Sequence, residues 1–166
     1  MRPLTEPEIR AAFVNRTRGE ARRLHVPRDL AERPWSDLDY LGWRDPGAPD
    51  RAYLVAESDD GRPRAVALRR PTATVGRTRR GLCSICLTPH TGGVSLMVAP
   101  RAGRAGQQGN SVGIHLCDDL CCSLHVRGRK RPDAESHLDE SLTVEERVHR
   151  TVTNLAAFLA RVTGDG

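Results

Sequence analysis

Aromatic side chains are scarce in this chain: they make up 4% of its 166 residues. Lysine is scarcer still, Lys130 being the only one. No run of eighteen apolar residues occurs, so no segment is expected to span a membrane. The opening "MRPLTEPEIRAAF" is charged and has no apolar core of the kind a leader carries, so no signal peptide is read there. A reducing, cytoplasmic compartment is the expectation. There is no G-x4-G-K-[ST] loop, which excludes a Walker-type nucleotide site. There is neither H-x-E nor P-C-x2-C, which excludes a zinc deaminase. His90, His125, His137 and His149 are scattered with no evident nucleophile motif, and no enzymatic activity is expected. With 38% apolar residues and so few aromatics, the core is modest, and a cross-link would help it.

What the chain does have is arginine. Lys and Arg number 26 against 21 Asp and Glu, a net charge of +5, and nearly all the positive charge is guanidinium. Together with abundant Ala, Gly, Pro and Asp this reads as the mark of a GC-rich genome. The excess of positive charge mildly favours an acidic partner or a phosphate backbone and says nothing of fold.

It also has five cysteines, all in two patches. "GLCSICLTPH" holds Cys83 and Cys86, and "IHLCDDLCCSLH" holds Cys117, Cys121 and Cys122. In a reducing compartment such clustering points to metal or catalysis before disulfides. A C-x2-C turn offers two thiolates from one tight loop, and a strand end followed by a first helical turn offers two more. Four soft ligands converging in this way suit zinc. A redox C-x2-C would want a βαβ setting and a helix N-terminus, whereas here Pro89 follows closely and more cysteines wait downstream. Cys121 and Cys122 are adjacent, and on a helix their side chains diverge by about 100°, so both are not expected on one ion. His115, two residues before Cys117, is a further candidate, although a strand histidine is more often just a partly buried side chain. Spacing alone leaves Cys121 and Cys122 open.

The pattern along the chain supplies a setting. Thr5 and Glu8 have capping-box spacing, and a helix is read over 5–15, with another turn or two in "TRGEARRLHVP". "RPWSDLDYLGWRDPGAPDR" reads as an ordered loop docked on the core through Trp35, Tyr40 and Trp43. "RAYLVAES" and "PRAVALRR" read as a hairpin about "DDGR". "GVSLMVAP" and "SVGIHLC" read as a second hairpin, with the glycine-rich "RAGRAGQQGN" as its loop. A short helix follows Cys117 and breaks near Gly128. After a polar connector, a second capping box, Thr143 with Glu146, opens an amphipathic helix with Val148, Val152, Leu155, Leu159 and Val162 as its stripe, ended by Gly164. Knuckle, hairpin and helix in this order look like a treble-clef zinc finger. The expected fold is α+β: a treble clef with N-terminal helices, a small antiparallel sheet and a docked C-terminal helix. The division read from the sequence is 1–50, helical and loop, and 51–166, the finger with its helix, the two able to form one compact unit.

Arg127, Arg129, Lys130 and Arg131 crowd the end of the zinc helix. Cations there complement the helix dipole, which is the simpler reading; contact with an acidic protein face or RNA phosphate is the functional one. Arg77, Arg79 and Arg80 flank the knuckle and could extend the same patch.

The segments "CSIC", "VGIHLCDDLCCS", "VRGRKR" and "ESLTVEERVHRTVTNLAAFLARV" together resemble the FBP family, whose C-terminal treble-clef zinc finger is shared with FusB-type fusidic-acid-resistance proteins that bind elongation factor G. The stretch from "FVNRTRGEARRLHVP" to "DRAYLV" also looks like the short actinobacterial members. Against FusB proper the resemblance covers the zinc-finger half, and the long N-terminal helical bundle is mostly missing. The resemblance implies Zn2+ on Cys83, Cys86, Cys117 and Cys122, because the last ligand in the family typically precedes a small polar residue and Ser123 follows Cys122. Cys121 is then spare. It further implies elongation factor G, and by extension the ribosome or its RNA, as partner, with Arg127, Arg129, Lys130 and Arg131 placed to approach it. A zinc-stabilised RNA- or DNA-binding module is the alternative.

Overall fold

A computed structural model describes residues 1–58, 60–71, 80–91, 93–131 and 140–164. The fold is α+β, as the sequence predicts. Helices α1 (Glu6–Ala11) and α2 (Arg18–Ala21) open the chain, followed by two 3-10 turns at Leu30–Glu32 and Trp35–Asp37. Strands β1 (Tyr40–Asp45), β2 (Ala48–Glu57) and β3 (Pro63–Arg69) form a meander. Short strands β4 (Arg80–Leu82) and β5 (Pro89–Thr91) flank the first cysteine pair. Strand β6 (Val94–Pro100), helix α3 (Gly103–Gln107) and strand β7 (Ser111–Cys117) make the second hairpin. Helix α4 (Cys122–Val126) and the long α5 (Val144–Thr163) end the chain. The main sheet is antiparallel in the order β1-β2-β3-β6-β7.

Alternation along β2 and β3 sorts their side chains onto two faces. Ala52, Leu54, Ala56, Val66 and Leu68 point to a cluster shared with the cysteines and with Leu155, Phe158 and Val162 of α5. Tyr53, Val55, Ala65 and Ala67 point to a second cluster with Phe13, Trp35, Leu41 and Trp43. Trp35, Tyr40 and Trp43 are all core residues: their exposures are 7%, 1% and 6%.

Four elements differ from the sequence reading. Helix α1 stops at Ala11 because the chain beyond it turns extended and docks on β3, with Val14 N donating to Ala65 O at 2.9 Å and Ala65 N to Ala12 O at 2.9 Å. Asn15 continues this seam: its side-chain amide takes Ala67 N and gives to Ala67 O and Pro100 O, joining β3 to β6 where the two strands share one register pair, Arg69 with Val98. The expected loop around Tyr40 and Trp43 is strand β1, in register with β2 from Tyr40↔Ala56 to Arg44↔Ala52. Gly42 lets it pass the second cysteine patch, since a Cβ there would lie 2.6 Å from Leu120 Cβ. The glycine-rich hairpin loop holds α3, entered and followed by left-handed glycines at Gly103 and Gly109. The stripe of α5 is rotated from the one read in the sequence: Thr151 and Phe158 are fully buried while Val152 is 43% exposed. Thr151 is tolerated there because its hydroxyl donates to Arg147 O at 2.8 Å.

Candidate metal centre

The knuckle is the loop between β4 and β5. Cys83 N donates to Thr88 O and Leu87 N to Cys83 O at 2.9 Å, a tight turn that takes Leu87 into the left-handed region. Helix α5 holds it from outside, with Asn154 Nδ2 donating to Ile85 O at 3.0 Å and Arg150 to Cys86 O at 3.3 Å. The second patch lies where β7 ends and α4 begins. Leu120, also left-handed, makes the turn between them. Arg44 donates to Asp118 O at 2.8 Å, and both Arg44 and Arg70 pair with the Asp118 carboxylate, pinning this turn to β1 and to the end of β3.

These supports bring four sulfurs together. The Sγ atoms of Cys83, Cys86, Cys117 and Cys122 all lie within 4.8 Å of one another, and all four residues are buried. Cys83 Sγ is 3.6 Å from Cys122 Sγ, and Cys86 Sγ is 3.6 Å from Cys117 Sγ. Four sulfurs bonded at about 2.3 Å around one tetrahedral ion would stand about 3.8 Å apart, so the spacing fits such an ion. The electrostatics ask for one. Hydrogen bonding from Cys117, and then from Cys122 and Cys86, pushes the Cys83 thiol far down. In return Cys122, Cys83 and Cys86 push Cys117 far up. Four thiolates in one buried space need a positive charge among them. A further sign is the buried Tyr40 hydroxyl, whose proton is held on by burial, then by the charge of Cys122 and by hydrogen bonding toward its sulfur. A donor so placed suits a thiolate neighbour.

Cys121 stands outside the cluster. It is half-buried, and its thiol donates to Asp119 O at 3.1 Å and lies 3.6 Å from Lys130 Nζ. His115 is exposed on β7 and is likewise outside. Two histidines outside the expected ligand set do border the thiols. His90 Nε2 is 3.2 Å from Cys117 Sγ and its ring meets that of His125 edge-on at 5.0 Å. His125 in turn bonds Asp119 through Nε2 and Lys130 O through Nδ1, each at 3.0 Å. Burial works against the charged form of His125, and the Asp119 carboxylate outweighs it, so the net shift is upward. Such groups orient thiolates from behind. Only the place of His90 just past the knuckle hints at this in the sequence.

The four cations after α4 are held unequally. Arg127 makes a two-pronged bond to Asp39, at 2.6 and 2.8 Å, with 18% of its side chain exposed. Lys130 pairs with Asp119 at 2.9 Å and Arg129 with Asp37 at 3.7 Å, and these two remain exposed, as does Arg131. Arg77 and Arg79 lie outside the described residues, as do the side chain of Arg80 and the connector over 132–139.

A family model described as the FBP C-terminal treble-clef zinc-finger matches residues 8–162. Among solved structures the fold is similar to that of the fusidic acid resistance protein FusC, with a TM-score of 0.56 and 18% identity, over 87% of this chain and 54% of that one. The chain thus spans about half the length of FusC, and at this identity the likeness concerns fold alone. No curated protein matches the sequence. No helix among the described residues is long and apolar enough to cross a membrane.

Proposed function

We propose, for a chain that belongs to the FBP family through its treble-clef zinc finger, a role as a zinc-stabilised docking protein for translation elongation factor G. In this reading Cys83, Cys86, Cys117 and Cys122 hold one Zn2+, and the docked protein eases the factor off a stalled ribosome, as in the FusB-type members. The observation that supports it best is the pairing of a family match over 8–162 with a closed, buried set of four thiols. Such a set leaves an ion no open coordination position, so the metal supplies a cross-link and no Lewis-acid chemistry, and the protein acts by binding rather than by catalysis. Thiols buried this deeply are also poor redox reagents.

The surface offered to the partner is the exposed end of α4. Arg127 belongs to the scaffold through Asp39, which leaves Arg129, Lys130 and Arg131 to steer an acidic face toward it. The test is binding of the zinc-loaded protein to purified elongation factor G, followed by real-time kinetics. Reversal of Arg129 and Arg131 to Glu should slow association several-fold while zinc content and Tm stay near wild type, since exposed charges act mainly on encounter. Absence of any binding to the factor would sink the partner. Equal rates for the reversed variant would keep the partner and move the interface elsewhere.

A further inference from the structure

On the sheet face opposite the metal centre lies a basic cavity of about 290 Å³ that the factor-binding reading does not use. Four arginines wall it, from three parts of the chain: Arg16 precedes α2, Arg23 follows it, and Arg51 and Arg69 stand on β2 and β3. We propose that this cavity is a phosphate-binding site and that its ligand is the sugar–phosphate backbone of RNA.

The arrangement of charge carries the proposal. Arg51 and Arg69 are direct cross-strand partners, a like-charge pairing that costs stability in a sheet. Arg69 is compensated by Asp50 at 2.8 Å. Among the described residues Arg16, Arg23 and Arg51 have no ion-pair partner. The one acid in the wall, Glu20, is held in the capping box of α2, its Oε2 accepting from Thr17 N and Thr17 Oγ1 at 2.8 Å each, and its charge offsets part of that of Arg16 and Arg23 without an ion pair to either. Four guanidiniums stand against two carboxylates, Glu20 and the Asp50 that pairs with Arg69, so the site keeps an excess of positive charge that an entering anion offsets. Guanidinium forks match phosphate oxygens in pairs; Arg51 and Arg69 are set by paired strands, and Arg16 and Arg23 by the turns on either side of α2.

The same features favour a nucleic-acid strand over an acidic protein. A strand brings one charge per nucleotide in a fixed series. A protein would have to order several carboxylates on a projection narrow enough to enter a concave site. The cavity presents no free aromatic face: Tyr53, in its floor, is buried and its ring packs on Trp43 at 5.4 Å and edge-on to Phe13. Bases therefore have no aromatic platform, and binding is predicted to be indifferent to sequence and steeply dependent on salt.

The test uses the full-length, metal-loaded protein alone, without elongation factor, so that its outcome is independent of the factor-binding reading. Fluorescence anisotropy of a short labelled single-stranded RNA is followed between about 50 and about 200 mM salt. The pocket variant is Arg23→Gln with Arg51→Gln. The control, with the same loss of charge, is Arg62→Gln with Arg161→Gln; Arg62 lies at the opposite end of the β2–β3 hairpin and Arg161 on α5. Wild type should bind, the pocket variant should lose about tenfold or more in affinity, and its log–log salt slope should fall by about two, while the control changes by less than about threefold. Equal losses in both variants, or no binding by wild type, would overturn the proposal. So would two positive results elsewhere. Adenosine monophosphate binding as tightly as the RNA would assign the site to a free nucleotide. Polyglutamate binding with the same dependence on Arg23 and Arg51 would assign it to an acidic protein.

Discussion

On one face of the main sheet the residues contributed by β2 and β3 are Ala52, Leu54, Ala56, Val66 and Leu68, and what covers them is a four-thiol site and a twenty-residue helix. On the other face the same two strands contribute Tyr53, Val55, Ala65 and Ala67 beside Trp43 of β1, and what covers them is a pair of short helices with Phe13 and Trp35. The faces are a single peptide bond apart along each strand, yet they are held differently. The first face has one aromatic pair, Tyr40 and Phe158, and its sulfurs converge on a point, so it depends on a cross-link. The second keeps four of the chain's few large aromatics, and depends on buried area and on ring contacts such as Tyr53 with Trp43. A chain with 4% aromatics has spent most of them where no metal helps.

The sharpest way to break this comparison is to remove the metal. Cys83→Ser, or chelation of the wild type, should unfold the metal face, because a structural zinc site can supply about 10–16 kcal/mol of apparent folding free energy. Far- and near-ultraviolet circular dichroism would show it as lost tertiary signal from Tyr40, with helix signal lost from α5. Retained cooperative unfolding at wild-type Tm after chelation would mean that the two faces are held alike.

The second cut goes into the other face. Tyr53→Ala should cost about 3–5 kcal/mol by denaturant unfolding, since it empties a fully buried site and leaves Asp45 without the phenol. Metal content should remain at wild-type stoichiometry in the folded protein. Loss of metal at the same denaturant concentration in mutant and wild type would show that the faces unfold independently.

A smaller effect is expected at the seam between them. Asn15→Ala leaves the backbone N–H and carbonyl of Ala67 and the carbonyl of Pro100 without their amide, at a cost of about 2–3 kcal/mol. Faster hydrogen exchange at Ala67 and along β6 would locate the damage there. Exchange unchanged at those amides would remove Asn15 from the account.

The sequence made the metal face more legible than the aromatic one, for a physical reason. Cysteine spacing, the strand ending at Cys117 and the capping box at Thr143 are local signals, and local signals survive in a linear reading. The face with few such marks was harder. In the sequence β1 reads as a loop because Asp39, Pro46 and Gly47 crowd its flanks, and only pairing with β2 makes Tyr40–Asp45 extended. In the sequence α1 reads too long because nothing near Ala11 announces that the edge of β3, some fifty residues on, will claim its continuation. The rotation of the α5 stripe follows from Thr151, a polar residue whose hydroxyl is satisfied within its own helix. The arginines after α4 looked alike in sequence, and Asp39, which sets Arg127 apart, is 88 residues away. Between Cys121 and Cys122 the spacing was silent. The turn at Leu120 decides which thiol faces inward.

That last point is also where the account is most exposed. Metal per chain, counted by native mass spectrometry on freshly reduced protein, is the measurement to make on wild type, Cys121→Ala and Cys122→Ala. One zinc in wild type and in Cys121→Ala, with none retained by Cys122→Ala, is the predicted result; Cys121 is a half-buried thiol whose loss should change stability by less than about 0.5 kcal/mol. Stoichiometric zinc in Cys122→Ala, or no metal in any of the three, would contradict it.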